Sequence, residues 1–278
     1  MKKFWLLVLC LILTTLSLLP LSACAQSQGS NQLKVGLECN YTPFNWTQTD
    51  DSNGAVPISG STGEYAGGYD IEIAKKIAAG LGKELVIVKT EWTGLIPAVT
   101  SGKIDLVIAG MSPTAERRES VDFSDYYYLS DLVVVVRKDS AYAAATKPGD
   151  FSGAKLTAQQ NTFHYTVLDQ ITGLNKQAAM KDFPSMIVAV NTKKIDGYIS
   201  EKPGAISAVA ANPDLTYVSF AEGQGFTYTN DDVSIAVAAK KGSTELIGKI
   251  NTILSGISQD ERNQWMDEAV KNQPISAE

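Results

Sequence analysis

Strand-like and helix-like segments alternate between residues 33 and 109, and this alternation limits the fold more than any other feature of the chain. The strand-like runs are 33–38, 84–89 and 104–109, and the helix-like runs are 69–81 and 94–101. In the first helix-like run Ile73, Ile77 and Leu81 lie four residues apart and Gly82 follows, which is typical of a helix that ends at a glycine. The β-α-β-α-β order predicts a mostly parallel sheet with crossover helices.

A second α/β set follows a polar stretch. Its strands are predicted at 155–158 and 195–199, its helices near 163–171, at 184–193 and at 203–211, and the end of the chain is helical over 244–270. Two further β-rich runs, 132–136 and 232–239, connect the sets. We therefore predict an α/β protein with two lobes, a two-stranded hinge and a ligand cleft between the lobes. Lobe one would hold 33–132 and 239–278, and the hinge and lobe two 133–238; one continuous sheet is the alternative that the pattern leaves open.

The first residues of the chain have the pattern of an export signal. Lys2 and Lys3 precede an apolar run, and the small residues of an LSAC sequence follow it. That ending resembles a lipobox, the bacterial lipoprotein signal. We predict a lipoprotein signal peptide at 1–23, lipid attachment at Cys24 and a flexible tether at 24–32, with an ordinary secretory signal as the alternative. The protein would then be extracytoplasmic, anchored by lipid to the outer face of the bacterial cell membrane.

Cysteine usage and charge narrow the class of protein. Cys39 is the one cysteine in the body of the predicted fold, so an internal disulfide cannot form and stability must come from a hydrophobic core. The formal net charge is −6 at pH 7 and becomes more negative if the signal is removed. Nucleic-acid binding needs a basic surface, so we expect no nucleic-acid partner.

Residues 109–128, AGMSPTAERRESVDFSDYYY, carry the clearest candidate site. The turn Gly110-Met111-Ser112 follows a predicted buried strand, and Arg117 comes five residues after Ser112. Backbone N–H groups, a hydroxyl and a guanidinium fork together suit a carboxylate. Ligands of parallel sheets bind beyond the carboxyl ends of the strands, where Glu38 and Gly110 both fall. A strand–turn–helix corner with a surface arginine is the alternative.

Several catalytic signatures are absent from the sequence. His164 is the only histidine, and a lone histidine is more often a core or surface residue than a catalyst. The chain has no cysteine–histidine cluster with metal spacing, no Gly-x-Ser-x-Gly elbow and no phosphate loop of the Walker type. We therefore predict a binding protein rather than an enzyme, with no cofactor and no metal. A carboxylate acid/base pair is not excluded by this argument.

Four segments together resemble the polar amino-acid-binding proteins of ABC transporters, the solute-binding family 3. They are VGLECNYTPFNW (35–46), GGYDIEIAKKIAAGLG (67–82), WTGLIPAVTSGKIDLVIAGMSPTAERRESVDFSDYYY (92–128) and KKIDGYISEKPGAISAV (193–209). The resemblance covers roughly residues 33–270. It implies a type II periplasmic-binding-protein-like fold and a substrate-binding lipoprotein that captures a free L-amino acid when its lobes close.

The resemblance implies a role for each matching residue. Arg117 would pair with the ligand α-carboxylate, helped by Ser112 and the backbone at Gly110, with Met111 in the same turn. Thr162, at a helix start in lobe two, would donate its N–H and hydroxyl to the same carboxylate. Glu201 would accept the α-ammonium, although many relatives carry the shorter Asp there; a solvated surface acid is the alternative.

Specificity for the ligand side chain would come from four further positions. Tyr41 and Trp92 match positions that flank the side chain, with core packing as the alternative. Glu38 matches an acid that reads a polar or cationic side chain. An acid between aromatic faces favours a cation, so arginine or lysine is preferred. Phe163 stands where some cation-binding relatives carry a polar residue. Glutamine, histidine, cystine and other polar amino acids remain alternatives, and we expect Cys39 to be a buried strand-end residue.

The implied partners are the free amino acid, an ABC permease with its ATPase, and the membrane through the lipid anchor, and we expect a monomer. A dehydratase acting on small carboxylic acids and a sensor of the same fold are the less favoured interpretations. One polar, glycine-rich region, 47–68, has no assigned element. Because it is long for a loop, we expect a hairpin or flap near the cleft mouth.

Overall fold

The computed structural model of the protein describes residues 31–274. The predicted signal peptide 1–23, the lipid site Cys24 and most of the tether 24–32 lie outside the described residues, so these remain predictions. Gln32, which we assigned to the tether, is the first residue of strand β1.

The first sheet has five strands in the order β6-β1-β7-β13-β8. These are β1 Gln32–Leu37, β6 Glu84–Lys89, β7 Leu106–Val107, β8 Val121–Leu129 and β13 Ser234–Lys240. β1 pairs in parallel with both β6 and β7, as the crossover pattern predicted. β13 runs antiparallel to β7 and β8, so the prediction of a mostly parallel sheet is wrong on that side. The physical reason is that β13 re-enters the sheet from the second half of the chain and needs no crossover helix.

Helices cover this sheet, and capping residues mark the ends of two of them. They are α1 Tyr69–Gly80, α2 Trp92–Thr100, α3 Ala115–Ser120, α8 Thr244–Ser255 and α9 Gln259–Asn272. α1 buries Ile73 and Ile77 and is followed by Gly82 at φ 65°, the left-handed conformation that favours glycine. α9 begins with a capping box in which Ser258 and Glu261 exchange hydrogen bonds.

The second sheet has four strands in the order β10-β11-β9-β12. Its strands are β9 Leu132–Arg137, β10 Leu156–Thr157, β11 Gly197–Glu201 and β12 Leu215–Val218, and its helices α4 Phe163–Thr166, α5 Phe183–Asn191 and α6 Lys202–Ala211. Short 3₁₀ turns occur at Ala141–Ala144, Pro148–Phe151 and Val167–Gln170. The run of valines is not only a link between lobes. β9 is an interior strand, antiparallel to both β11 and β12, which explains why Val133 to Val136 are all buried.

The chain crosses between the two sheets twice. It leaves the first sheet through Ser130 and Asp131, and it returns through the short helix α7 Asn230–Val233. The Ser130 N–H donates to the carbonyl oxygen of Val233 at 3.3 Å, so the crossings lie side by side. The two sheets thus form two lobes, joined by two adjacent crossings of the chain. Because β13 pairs in the first sheet from Ser234 onward, we propose a return boundary near 234 rather than the predicted 239.

A third, small antiparallel sheet with the order β2-β3-β5-β4 takes three of its strands wholly or partly from the polar 47–68 region. Its strands are β2 Asn40–Tyr41, β3 Asn45–Gln48, β4 Val56–Pro57 and β5 Tyr65–Gly67, with a 3₁₀ turn at Ser52–Gly54. The predicted hairpin is therefore present. Its Ile58 bridges to Ile87 of β6, and no residue of 47–68 lines the closed pocket, so its closeness to the cleft mouth stays a prediction. Within the described range 31–274, no helix is both long and apolar enough to cross a membrane.

Candidate ligand-binding site

A small pocket lies between the first and second sheets. Its volume is about 10 Å³, about the room that one water molecule needs. It is lined by Tyr41, Trp92, Gly110, Ser112, Arg117, Gln159, Thr162, Phe163, His164, Phe183, Glu201 and Asp232. All the predicted ligand residues except Glu38 and Met111 are among these. The lining comes from both lobes, so the cleft is closed and its side chains contact one another across it.

Arg117 is held as a half-buried cation between the lobes. Its Nη1 donates to the carbonyl oxygen of Ser112 at 2.8 Å and its Nη2 to that of Asn161 at 2.8 Å. The guanidinium carbon lies 5.0 Å from the ring centre of Trp92. Burial lowers the pKa of Arg117 to about 10, which still leaves it charged at neutral pH. No carboxylate within residues 31–274 forms an ion pair with it.

The turn before Arg117 is fixed by contacts within the protein. Gly110 adopts φ 61°, and a Cβ there would lie 2.8 Å from the ring of Tyr41, so both the conformation and the space require glycine. Its N–H donates inward to the Tyr127 hydroxyl at 3.3 Å. In the closed form this N–H is therefore bonded within the protein, although Gly110 lines the pocket, and the help of its backbone to a ligand stays a prediction. Met111 is not a lining residue: it is 1% exposed, and its carbonyl oxygen accepts from the Ala236 N–H.

A buried polar network supports this turn from behind, and sequence reasoning missed it. Asp70, at the start of α1, accepts hydrogen bonds from Asn45 Nδ2 at 2.8 Å and from the Tyr127 hydroxyl at 2.7 Å. Asn45 Oδ1 accepts from the Cys39 N–H at 2.8 Å. Burial raises the pKa of Asp70 to about 7. Cys39 is buried, as predicted, and burial raises the pKa of its thiol to about 12. The network thus ties the ends of β1 and β7 together.

Glu38 lies beside the pocket rather than on its wall. Its carboxylate accepts from Gln159 Nε2, at 3.2 Å to each oxygen, and so links the two lobes. Burial, reinforced by the charges of Asp182 and Glu91, raises the pKa of Glu38 to about 7. Sequence reasoning missed Gln159, whose partner is 121 residues away along the chain.

Glu201 is the last residue of β11 and is 2% exposed, which excludes a solvated surface acid. One of its oxygens is 3.0 Å from His164 Nε2, and the other accepts a hydrogen bond from the Tyr41 hydroxyl. Burial acts to raise the pKa of Glu201, but His164 and the Tyr41 hydroxyl together hold it below its ordinary value. His164, which we expected to be a core or surface residue rather than a catalyst, is buried and lines the pocket.

The remaining wall comes from the second lobe. The Thr162 hydroxyl donates to the Gln159 carbonyl oxygen at 2.7 Å, and its helix α4 is only one turn long. Phe163 is partly buried. Phe183, which was not predicted, stacks on Tyr41 with ring centres 4.2 Å apart. Asp232 was also not predicted. Within residues 31–274, no group of three or more His, Cys, Asp or Glu side chains is placed to hold a metal ion.

The pocket thus presents a guanidinium on one side, a carboxylate on another and aromatic faces between them. The family model for bacterial extracellular solute-binding proteins, family 3, matches residues 33–269. This chain belongs to that family. Membership covers both lobes and agrees with the resemblance that the four sequence segments indicated.

Named relatives and solved structures agree with this assignment. The probable histidine-binding protein of Campylobacter jejuni is 34% identical over 203 residues, 72% of each chain. The arginine-binding extracellular protein ArtP of Bacillus subtilis is 28% identical over 265 residues, 91% of this chain and 92% of the relative. An amino acid ABC transporter substrate-binding protein from Streptococcus pneumoniae, solved with L-arginine, superposes with a TM-score of 0.72 at 27% identity, covering 87% of this chain and 95% of that one. The predicted type II periplasmic-binding-protein-like fold class is confirmed.

Proposed function

We propose that this family member is the substrate-binding component of an amino-acid ABC importer, which captures a free L-amino acid between its lobes and delivers it to a membrane permease with its ATPase. The observation that carries the proposal is Arg117. It is a half-buried cation fixed by two carbonyl oxygens and stacked on Trp92, without a carboxylate partner in residues 31–274. A ligand α-carboxylate would supply the missing countercharge and a bidentate pair of hydrogen bonds.

The opposite charge of an amino acid has a matching acceptor. Glu201 is buried in the same pocket, and we assign it to the ligand α-ammonium. Ser112 and Thr162 line the wall near Arg117, and we propose that they assist the carboxylate. A pocket that offers both charges selects zwitterions over simple acids or amines, because each unpaired buried charge would be costly.

For the side chain of the ligand, we propose arginine, with lysine next. Glu38 is an acid beside the aromatic wall that Tyr41 and Trp92 form, and Phe163 contributes to the same wall. The names of the relatives support this choice unevenly, since one is called arginine-binding and another probable histidine-binding. Glutamine, histidine and cystine are the alternatives. With a neutral ligand bound, Glu38 would keep its hydrogen bonds with Gln159 and would stay protonated more readily than with a cationic ligand bound.

Lobe closure would supply the capture step. Contacts beside the pocket that join the lobes include hydrogen bonds of Arg117 with Asn161, Glu38 with Gln159 and Tyr41 with Glu201. Phe183 also stacks on Tyr41 across the cleft. Because the closed pocket holds only about one water, a ligand must enter when these contacts are open. It would then favour the closed form by touching both lobes at once.

From the sequence we also propose that a lipid on Cys24 anchors the protein to the outer face of the cell membrane and that the protein is a monomer. A dehydratase of the same fold would need an acid or base free to move a proton. Glu201 is engaged by His164 and Tyr41, which favours binding over that reaction. A sensor that presents its ligand to a separate receptor would bind the same molecules and differ only in its partner.

A thermal-shift panel of the twenty amino acids tests the proposal on the purified protein. Ligand that binds the native state raises the unfolding temperature, and titration calorimetry then gives the affinity. We expect L-arginine to give the largest shift. Mass spectrometry of the incubated ligand should recover it unchanged. If no amino acid shifts the transition, the proposed capture function is wrong, and a converted product would favour the enzyme.

A further inference from the structure

The contact between His164 and Glu201 is a feature that the proposed binding roles leave unused. His164 is the only histidine of the chain and is buried in the pocket wall. Its Nε2 lies 3.0 Å from one carboxylate oxygen of Glu201. An ionised carboxylate only accepts hydrogen bonds, so the Nε2 atom carries the proton in this contact.

The two oxygens of Glu201 have partners of different origin. His164 is the second residue of α4 and belongs to the same lobe as Glu201, so their contact survives when the lobes separate. Tyr41 belongs to β2, in the small sheet that packs on lobe one, and its hydrogen bond to the other oxygen spans the cleft. Opening the cleft therefore breaks the Tyr41 contact and exposes one oxygen, while the other stays held.

The imidazole itself is oriented by this contact and by packing. Its ring meets Phe183 edge-on, with centroids 6.4 Å apart at 81°. Its Nδ1 is buried and has no hydrogen-bond partner among the described residues. Because Nδ1 has no partner, hydrogen bonding at that atom does not set the position of the ring. The contact with the Glu201 carboxylate and the packing against Phe183 set it.

We propose that His164 is a positioning residue for ammonium recognition: it holds one oxygen of Glu201 so that the other faces the ligand α-ammonium, in the place that the Tyr41 hydroxyl takes in the closed pocket. This inference rests on the proposed function. Glutamate has one more rotatable bond than aspartate, so a free Glu201 side chain would lose more conformational entropy on binding. Holding one oxygen in advance reduces that loss, which is the general advantage of preorganisation.

The experiment compares two ligands that differ only in the ammonium group. L-Arginine and 5-guanidinopentanoate share the carboxylate and the guanidinium, and only the first carries an α-ammonium. If the amino-acid panel selects glutamine, the pair becomes L-glutamine and 4-carbamoylbutanoate. The quantity measured is the ratio of the two affinities, by calorimetry or by competition, for the wild type, His164→Asn and His164→Gln.

We expect His164→Asn to lower the ratio about tenfold, because its shorter amide does not reach Glu201. His164→Gln can place an N–H near the position of Nε2 and should keep the ratio within about threefold of the wild type. In a Glu201→Asp background the shorter acid no longer meets His164, so His164→Asn should change the ratio further by less than about twofold.

A merely structural role gives a different pattern. His164→Asn would then weaken both ligands equally and leave the ratio unchanged, which overturns the inference. The inference is also overturned if His164→Asn and His164→Gln lower the ratio alike. Failure of the wild type to bind any amino acid would instead remove the proposed function, so the two failures are distinguishable. Unfolding temperatures of each variant show that the comparison is made between folded proteins.

Discussion

The two charged ends of the pocket are built in opposite ways. Arg117 is held by backbone carbonyl oxygens from both lobes and has no carboxylate partner among residues 31–274. Glu201 has a side-chain partner on each oxygen, one of them from the other lobe. An incoming carboxylate would meet a prepared site, whereas an incoming ammonium would have to replace the Tyr41 hydroxyl. The Arg117 end should therefore provide most of the affinity, and the Glu201 end should control how the closed state changes on binding.

The strongest way to break this comparison is Arg117→Ala. The substitution leaves a buried ligand carboxylate without a countercharge, at a cost of about 3–5 kcal/mol, so binding should fall below detection by calorimetry. Arg118→Ala is the matched control on the same helix, since Arg118 pairs with Asp231 and does not line the pocket. Near-native affinity for Arg117→Ala would show that the carboxylate is bound elsewhere.

The second prediction concerns the acid at the other end. Glu201→Gln keeps the size of the side chain and its acceptor oxygen but removes the charge, so the ammonium loses a charge-assisted hydrogen bond. We expect affinity to fall by about 10- to 100-fold, or about 1.5–3 kcal/mol. Lys202→Gln, at the next and exposed position, serves as control. A loss as large as that of Arg117→Ala would mean that the two ends contribute equally, contrary to the comparison.

The third prediction uses the pKa of Glu38, which burial raises to about 7. A bound guanidinium favours the ionised carboxylate and lowers this pKa, so arginine binding should release a proton between about pH 5 and pH 7. Affinity for arginine should rise as pH increases towards 7 and should be about tenfold weaker one pH unit below the pKa. Calorimetry in two buffers with different ionisation enthalpies measures the released proton.

Glu38→Gln is the control for proton release, and it should abolish the release while weakening arginine more than glutamine. The raised pKa of Glu38 makes folding stability depend on pH in the opposite direction from arginine affinity. The folded protein binds a proton at Glu38 that the unfolded chain has already lost above about pH 4.5, so this contribution to the free energy of unfolding declines as pH rises through about 7. Equal effects of Glu38→Gln on both ligands would show that Glu38 does not read the side chain.

Particular residues show how much of this could be predicted from the sequence. Arg117 was found because a strand end, a turn and an arginine occur within a few residues. Glu201 was found because the family resemblance points to it, two residues after a predicted strand. His164, Gln159 and Asp70 were missed because their positions in the site depend on packing that the sequence does not show: the partner of Gln159 is 121 residues away. Local pattern gives the backbone position of a side chain, but packing between lobes decides which atoms it meets.

The sheets give the same lesson at larger scale. The periodicity located most strands of both lobes but not their direction, because the pairing of Ser234 with Leu129 joins segments about a hundred residues apart. The valine run at 132–136 is predicted as part of a hinge; its burial on both faces follows from its interior place in the second sheet. Apolar composition alone does not separate a buried central strand from a buried connection.

The smallest expected effect is that of Tyr41→Phe, and it tests the difference between the two ends most directly. The substitution removes the hydroxyl that occupies Glu201 and keeps the ring that stacks on Phe183. Without ligand, Glu201 would lose a partner in the closed form, so the unfolding temperature should fall by a few degrees, as expected for about 1 kcal/mol. With ligand, the ammonium no longer competes with the hydroxyl, and affinity for L-arginine should rise about threefold. Calorimetry and thermal unfolding of the same preparations measure both effects. If affinity falls tenfold instead, the hydroxyl binds the ligand, and the ammonium end is as prepared for its charge as the carboxylate end.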